Sequence, residues 1–301
     1  MIVPLSGFST DRMSKYQELV YKNHNNIYIS YYSGDAHPSV MFSGVKYRLC
    51  IIIATKTSLL TTKQIYTTVY YRWYAEERHR LFQNISYTKN ILNNGFLRFA
   101  KGGNYISLSI LSKIVSTGTM LENYLLNSGI GHVTYHRSPV FWIRSMDFEP
   151  YFQSDSGKQR STDHLKDLFF RSLSLSKRVG AILNSTIFYF WFTTQGNCRN
   201  IAEQDIKCLP TGDIRLNSLE KLESFFDDLM VDLKINSKRR VYNYSNAGRV
   251  EYDEFYPSLS KVRIDPIDQL LAEHYGLTDE ETDFIINYDI KYRMSSTDDE
   301  E

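Results

Sequence analysis

The residues best suited to chemistry in this sequence are one arginine and two amides in a short polar stretch. Arg199 stands between Asn197 and Asn200, in the order Asn-Cys-Arg-Asn. An exposed guanidinium binds phosphate or the edge of a base, and neighbouring amides add hydrogen bonds without neutralising its charge. A plain connector with one solvated arginine fits the same residues. The stretch therefore predicts either an anion-binding loop or a simple connection.

Two helices are predicted to hold this loop. Apolar residues recur at three-and-four spacing from Val179 to Trp191, which predicts one helix with a broad apolar face. We expect this helix to stop at Gly196, because glycine accepts positive φ without a Cβ clash. A short second helix follows the polar stretch. The loop that carries Arg199 would then be rigidly placed.

Other basic residues stand next to tyrosines. Lys46 and Arg48 flank a tyrosine at the entrance of a predicted strand, and Arg72 stands in YYRWYAEERHRLF. On a DNA-facing surface cations contact phosphates and tyrosines stack or donate hydrogen bonds. A solvated face with pairing to nearby glutamates fits these residues as well. The basic loop KQRSTDH, with Lys158 and Arg160, either orders on DNA or is a connector.

No catalytic or metal-binding pattern accompanies these residues. His132 and His136 have the spacing of a helical metal pair, but the residues between them predict a strand, and no third ligand accompanies them. The three cysteines show no Cys-x-x-Cys spacing, so we expect neither zinc nor a disulfide. Gly-x-Ser-x-Gly, Pro-Asp and Glu-x-Lys are missing, which argues against a serine hydrolase and a nuclease. We predict no catalytic residue and no metal.

Charge is divided unevenly along the 301 residues. Residues 1–250 contain 31 Lys and Arg against 19 Asp and Glu, whereas residues 251–301 contain 4 against 15. A basic body with an acidic end is the composition expected of a nucleic-acid binder. No run reaches the roughly 18 to 20 apolar residues that a membrane helix needs. We expect a soluble cytoplasmic protein with no membrane partner and room for about two domains.

Strands are predicted mainly in the first quarter of the chain. The segments Ile27–Tyr32, Leu49–Ala54 and Ile65–Tyr71 are rich in β-branched and aromatic residues. The second is a continuous apolar run, which predicts burial on both faces. The polar stretch at 57–62 is the best candidate for a domain boundary.

The last third is predicted to be helical. Residues 216–233 carry an apolar stripe at helical spacing, and a basic linker at 238–240 follows it. Thr278 and Glu281 have the spacing of a capping box and predict the start of a further helix. The acidic surface of this segment suits packing against a basic partner or against the chain's own body.

The region around Arg199 resembles the target-recognition region of adenine-N6 DNA methyltransferases from restriction-modification systems. The shared pattern is Leu-Asn-Ser before Phe-Tyr-x-Trp-Phe, then a loop with Arg-Asn, an acidic residue, an isoleucine and Leu-Pro. The similarity extends over nearly the whole chain. The matching residues of this region are Leu183, Asn184, Ser185, Phe188, Tyr189, Trp191, Phe192, Arg199, Asn200, Asp205, Ile206, Leu209 and Pro210.

The resemblance implies a fold and a set of domains. In the family, IVPLS is a late strand of the methyltransferase domain, so the chain resembles the C-terminal part of a longer enzyme or the second product of a split gene. The expected fold is an α/β remnant of a methyltransferase sheet, an α+β target-recognition domain and a C-terminal helical segment. The implied ranges are 1–58 for the remnant, 63–215 for target recognition, 216–250 for the amphipathic helix and basic linker, and 251–301 for the acidic helical segment.

The resemblance does not reach the family's catalytic motif. Asn-Pro-Pro-Tyr is absent, and so is a glycine-rich turn for S-adenosylmethionine. We therefore expect this chain to bind double-stranded DNA but not to transfer methyl groups alone. S-adenosylmethionine and the cofactor-binding half would come with an upstream chain. The competing hypothesis is a degenerate or split-gene remnant that serves only as a protein-interaction scaffold.

The resemblance also assigns roles to single residues. Phe42 stands at the position of an aromatic ring that the family places against the flipped-out adenine, and stacking on an extruded base is physically plausible. A core phenylalanine ahead of a buried strand is the alternative for this position. Arg137 and Arg144 lie in a segment that resembles the recognition-domain core, which makes them candidate contacts to the DNA backbone.

Overall fold

The computed structural model describes residues 1–34, 41, 42, 45, 47–56, 63–90, 99–155, 157, 164–244 and 248–294. The chain forms two compact units. Within the described residues, one comprises Met1–Ser116 and Trp191–Cys198, and the other comprises Thr117–Phe190 and residues 199–294. We call them the first and the second unit.

The first unit is built around a mixed five-stranded sheet. Its strands are β1 (Ile2–Pro4), β2 (Asn26–Tyr32), β3 (Leu49–Thr55), β4 (Gln64–Tyr71) and β5 (Thr88–Lys89). Its helices are α1 (Ser6–Ser9), α2 (Ser14–Asn23) and α3 (Tyr105–Ser116), with a 3-10 turn at Ala75–Arg80.

The strands of this sheet follow the order β1-β3-β2-β4-β5. All neighbours are antiparallel except β2 and β4, which run parallel. The three strands predicted from their apolar composition are confirmed with slightly wider bounds. The proposed domain boundary at 57–62 lies outside the described residues, and the strands on either side of it belong to this one sheet.

Apolar clusters lie on both faces of this sheet. Cys50 and Ile52 belong to one cluster, and Leu49 belongs to a second cluster against which Ile51 packs. Ile53 is 57% exposed. Because successive side chains of a strand point to opposite faces, the prediction that this strand is buried on both faces holds for its first half and was wrong for its second half.

The three cysteines are free thiols and all are buried. Burial raises the pKa of Cys50 to about 12. Because the thiolate is the reactive form, the folded chain is expected to react with an aromatic disulfide reagent far more slowly than the urea-unfolded chain. All three thiols should react with the reagent only after the chain has unfolded. Rapid modification of one thiol in the native chain would contradict this burial.

The second unit combines two small antiparallel sheets with helices. Its strands are β6 (Gly131–His136), β7 (Ser145–Met146), β8 (Phe152–Ser154), β9 (Leu165–Phe170), β10 (Lys238–Tyr244) and β11 (Gly248–Glu254). Its helices are α4 (Leu173–Asn184), the first half of α5 (Thr186–Gln195), α6 (Glu203–Lys207), α7 (Lys221–Ile235), α8 (Lys261–Tyr275), α9 (Asp279–Ile286) and α10 (Ile290–Arg293). The sheet orders are β7-β6-β9 and β10-β11-β8.

The single helix predicted from Val179 to Trp191 is two helices, α4 and α5. Ser185 separates them with an extended backbone, φ −69° and ψ 155°. Its hydroxyl donates to Ile182 O at 2.6 Å and accepts from Phe188 N at 3.0 Å. One serine thus ends α4 and begins α5. The residues of α5 are buried on every side, so the expectation of one apolar face was also wrong for α5.

Helix α4 packs closely against α7. A Cβ at Gly180 would lie 2.4 Å from the ring of Phe226, so only glycine allows this approach. The six apolar residues that predicted α7 and its preceding turn are all buried, which confirms that prediction. These residues are Leu219, Leu222, Phe226, Leu229, Met230 and Leu233.

The segment predicted as a basic linker is a strand. Lys238, Arg239 and Arg240 open β10, which pairs along its whole length with β11. The predicted capping box is confirmed at the start of α9. Thr278 N donates to Glu281 Oε2 at 2.8 Å, and Glu281 N donates to Thr278 Oγ1 at 3.3 Å. Among the described residues no helix is long and apolar enough to cross a membrane.

Candidate nucleic-acid interface

The loop that carries Arg199 begins where α5 ends. Gly196 N donates to Phe192 O at 2.8 Å, and a Cβ at Gly196 would lie 2.7 Å from the same oxygen. Glycine is needed here for close approach, so the prediction of positive φ at Gly196 was wrong. Positive φ occurs at Cys198, with φ 58°, and its buried thiol donates to Thr193 O at 3.3 Å. This turn sets the direction in which the chain reaches Arg199.

The residues after this turn are joined to the loop that follows β6. Asn200 Oδ1 accepts a hydrogen bond from Ser138 Oγ at 2.7 Å. Ile201 N donates to Arg137 O at 2.7 Å. Arg199 is exposed next to this junction. Two stretches that the sequence singled out separately, around 137 and around 199, therefore meet in the second unit.

A third stretch ends at the same place. His164, the last residue of the predicted basic loop at 158–164, places Nδ1 at 2.8 Å from Ser138 Oγ. Arg137 N donates to His164 O at 2.8 Å. The register of β6 and β9 pairs His136 with Leu165, which brings the end of one strand beside the start of the other. Ser138 is thus the common partner of the loops from β6, β9 and α5.

Arg144 reaches this junction from the approach to β7. Its Nη2 lies 3.3 Å from His136 Nδ1, and its carbonyl accepts from His136 N at 2.9 Å. The rings of His136 and His164 stack with centroids 5.8 Å apart. Burial, reinforced by the charge of Arg144, lowers the pKa of His136 to about 4. The His136 ring is therefore neutral at physiological pH, so it does not repel the charge of Arg144.

We call this assembly the basic cluster. The guanidinium of Arg137 belongs to it, and its Nε is buried without a hydrogen bond to any described residue. A buried donor left without a partner calls for a ligand, a water or an anion. The members of the basic cluster are Arg137, Arg144, Arg199, His136, Ser138, His164 and Asn200.

The predicted stacking residue lies in the first unit. Phe42 is 43% exposed and lines an open cavity of about 670 Å³. Phe82 and Leu81 line the same cavity, and Arg78 donates to Met41 O beside it. The volume is within the range of small-ligand pockets. Phe42 is therefore not a closed core residue, and its stacking on a base stays a prediction.

Three further predicted contacts also lie in the first unit. Arg48 is half-buried just before β3, and its carbonyl accepts from Leu5 N at 2.9 Å. Arg72 is half-buried, with its guanidinium 4.8 Å from the ring centroid of Tyr70. Asn197 is half-buried in the turn before Cys198. Lys46, Lys158 and Arg160 lie outside the described residues.

Sequence reasoning missed the residues that connect the basic cluster. His136 and Ser138 were placed in the segment that resembles the recognition-domain core, and His164 in the basic loop, but none of the three was predicted to contact another of these stretches. The available signal was polar sequence at the end of one strand and at the start of another. No group of three His, Cys, Asp or Glu residues in the described ranges could hold a metal ion.

The arginines of the β10–β11 hairpin take part in ion pairs. Arg239 pairs with Asp253 at 2.6 Å, Arg240 with Glu254 at 2.8 Å, and Arg249 is paired with Glu251 at 2.9 Å. Each of these three arginines therefore has an acidic partner within the hairpin.

Comparison with known proteins gave no assignment for this chain. No protein-family model matches it, and no curated protein matches it.

Proposed function

We propose that this chain is the DNA target-recognition part of a site-specific adenine-N6 DNA methyltransferase from a restriction-modification system. Its own activity is sequence-specific binding of duplex DNA, with the basic cluster of the second unit as the contact surface. The Asn-Pro-Pro-Tyr motif and the S-adenosylmethionine site would be supplied by a partner chain. We place the protein in the cytoplasm, where such enzymes meet DNA.

The observation that carries this proposal is the convergence of three stretches on Ser138. The loop after β6, the end of the basic loop before β9 and the loop after α5 were each candidates for DNA contact from sequence. Two of these stretches are neighbours because β6 pairs with β9, and the loop after α5 joins them through Asn200 and Ile201. A single surface with Arg137, Arg144 and Arg199 suits a phosphate backbone, because several cations close together release several counterions on binding.

The motif that resembles the methyltransferase family, Leu-Asn-Ser followed by Phe-Tyr-x-Trp-Phe, supports the same proposal through its buried residues. Leu183, Ser185, Phe188 and Tyr189 are at most 1% exposed, so they build the core of the second unit and do not face a ligand. Their role is to hold α4 and the start of α5 in place, as a rigid element beneath a recognition surface requires.

Fluorescence anisotropy on a 30-base-pair duplex of mixed sequence tests this proposal. Across a salt series, log K of the wild-type chain should fall steeply with log salt. Arg137→Ala and Arg199→Ala should each weaken binding and reduce the slope by about 0.9 when one phosphate contact is lost. If Arg199 reads a base instead, its variant keeps the slope and loses roughly 1 to 3 kcal/mol of discrimination on duplexes enriched from a random library.

Arg215→Ala is the matched control. It removes the same charge from the second unit, but Arg215 is exposed and already paired with Asp213 at 2.8 Å. It should bind DNA nearly as the wild type does. Should Arg137→Ala and Arg199→Ala behave like Arg215→Ala, the basic cluster is not the interface. Absence of salt-dependent binding by the wild type would favour the scaffold hypothesis.

A further inference from the structure

The β10–β11 hairpin presents a row of tyrosines on an edge strand. All seven residues of β10 are exposed, and β10 is the outer strand of its sheet. Tyr242 is 45% and Tyr244 50% exposed. The ring of Tyr242 lies 6.1 Å from the ring of Tyr244 and 6.1 Å from that of Tyr252. Three rings thus form one continuous aromatic patch.

The strand register separates two faces of this hairpin. Residues directly opposite in an antiparallel pair share a face. Arg240 lies opposite Tyr252 and Tyr242 opposite Val250, so both belong to the face with the tyrosines. Lys238 lies on that face too, with Nζ 5.1 Å from the ring centroid of Tyr256.

The opposite face has a different character. Arg239 lies opposite Asp253, and Asn243 opposite Arg249. Arg239 and Arg249 both pair with Glu251, at 3.4 Å and 2.9 Å. The charged residues of this face therefore pair with one another. The tyrosines of β10 and β11 all lie on the other face. On the ion-paired face Arg239 lies 3.6 Å from the ring centroid of Tyr151, whereas the tyrosine face carries three neighbouring rings beside Lys238.

We propose that the tyrosine face binds unpaired bases of single-stranded DNA. Bases stack on exposed aromatic rings while nearby cations meet the backbone, and this combination tolerates any sequence. Arg240 is paired with Glu254, and Lys238 adds a further cation beside the rings, which suits a polyanion whose bases can stack on them. The inference rests on the proposed function, since it adds a second DNA contact to a chain that binds DNA at the basic cluster.

Anisotropy with fluorescein-labelled oligothymidylate of 20 nucleotides tests the tyrosine face. The double variant Tyr242→Ala/Tyr244→Ala should lose at least about tenfold in affinity, the loss expected when one base stack is removed. Tyr242→Phe/Tyr244→Phe keeps the rings and should bind as the wild type does. Tyr105→Ala removes a tyrosine that is 83% exposed elsewhere and serves as the control.

The two DNA contacts are separated by the choice of probe. The tyrosine double variant should bind the 30-base-pair duplex within about twofold of the wild type, whereas Arg137→Ala should weaken that duplex. If the wild type does not bind oligothymidylate, or the double alanine variant binds it equally well, the tyrosine face is not a single-strand site. That result leaves the proposed function standing, because the duplex assay tests it separately.

Discussion

Arg293→Ala is expected to lower the free energy of unfolding by about 2 to 4 kcal/mol, the cost of removing a buried cation that contacts two aromatic rings and donates a hydrogen bond. Arg293 is 3% exposed, and its guanidinium lies 3.7 Å from the ring centroid of Trp142 and 4.8 Å from that of Tyr189. It donates to Thr186 Oγ1 at 3.1 Å. One side chain thus ties α10 to the start of α5.

The neighbouring carboxylate makes the loss larger. Asp268 is fully buried, and its Oδ1 accepts from Thr186 N at 2.7 Å, while Oδ2 accepts no hydrogen bond from a described residue. Burial raises the pKa of Asp268 to about 6, although the charge of Arg293 opposes the rise. Without Arg293 the carboxylate is buried with less compensation. Its pKa should then rise further.

This coupling gives the prediction a pH signature. An acid whose pKa is higher in the folded than in the unfolded chain binds protons preferentially when folded, so its contribution to stability falls as pH rises between the two values. In the wild type the window for Asp268 runs from roughly 4, its value in an unfolded chain, to about 6. In Arg293→Ala the window should extend above pH 6. Urea unfolding followed by tryptophan fluorescence from pH 5 to 8 measures it.

Two further variants serve as controls for this prediction. Arg263→Ala removes an exposed arginine that lies 3.8 Å from Asp232, so it should cost at most about 1 kcal/mol. Arg293→Met/Asp268→Asn removes both buried charges and should recover much of the loss. An Arg293→Ala variant that is as stable as Arg263→Ala would show that α10 is not held by this side chain.

Local pattern was enough to predict several elements of the fold. The strand expected at Ile27–Tyr32 is β2, because β-branched and aromatic residues favour a pleated surface. The capping box at Thr278 formed because its two hydrogen bonds need only residues three positions apart. In these cases all the interactions that decide the structure lie within one short segment.

Other elements depended on interactions that periodicity does not record. The apolar spacing continued through Ser185 without interruption. The Ser185 hydroxyl, however, replaces backbone hydrogen bonds on both sides and divides the predicted helix into α4 and α5. The basic residues at 238–240 suggested a linker, although the tyrosines alternating after them indicate a strand. Their strand pairs along its whole length with β11, and acidic residues of β11 pair with Arg239 and Arg240, which could not be read from the basic segment alone.

The basic cluster shows the same limit at the level of function. Arg137 and Arg199 could be chosen as candidates because loops with arginine and polar neighbours have a recognisable chemistry. That they lie together follows from the pairing of β6 with β9 and from the hydrogen bond between Ser138 and Asn200. These contacts join residues far apart in the chain, so no local spacing encodes them.

Asn184→Leu is expected to lower the free energy of unfolding by about 2 to 5 kcal/mol, since it leaves buried backbone groups without partners. Asn184 Oδ1 accepts from Ser145 N at 3.0 Å, and Nδ2 donates to Ser145 O at 2.8 Å and to Gly180 O at 2.8 Å. Leucine has a similar size but offers no hydrogen bond. Asn287→Leu, at an exposed site near the end of α9, should change stability by less than about 1 kcal/mol.

This substitution should also weaken DNA binding while the chain is still folded. Ser145 directly follows Arg144, and the Asn184 amide holds that short strand against α4. When the amide is lost, Arg144 is no longer fixed beside His136, and one cation of the basic cluster loses its position. Anisotropy at 10 °C, where circular dichroism verifies folding, should show weaker duplex binding with a reduced salt slope for Asn184→Leu. Asn287→Leu should bind the duplex as the wild type does, with an unchanged salt slope. If a folded Asn184→Leu chain binds the duplex with unchanged affinity, Arg144 does not contribute to DNA binding, and Arg137 and Arg199 are the remaining candidate contacts.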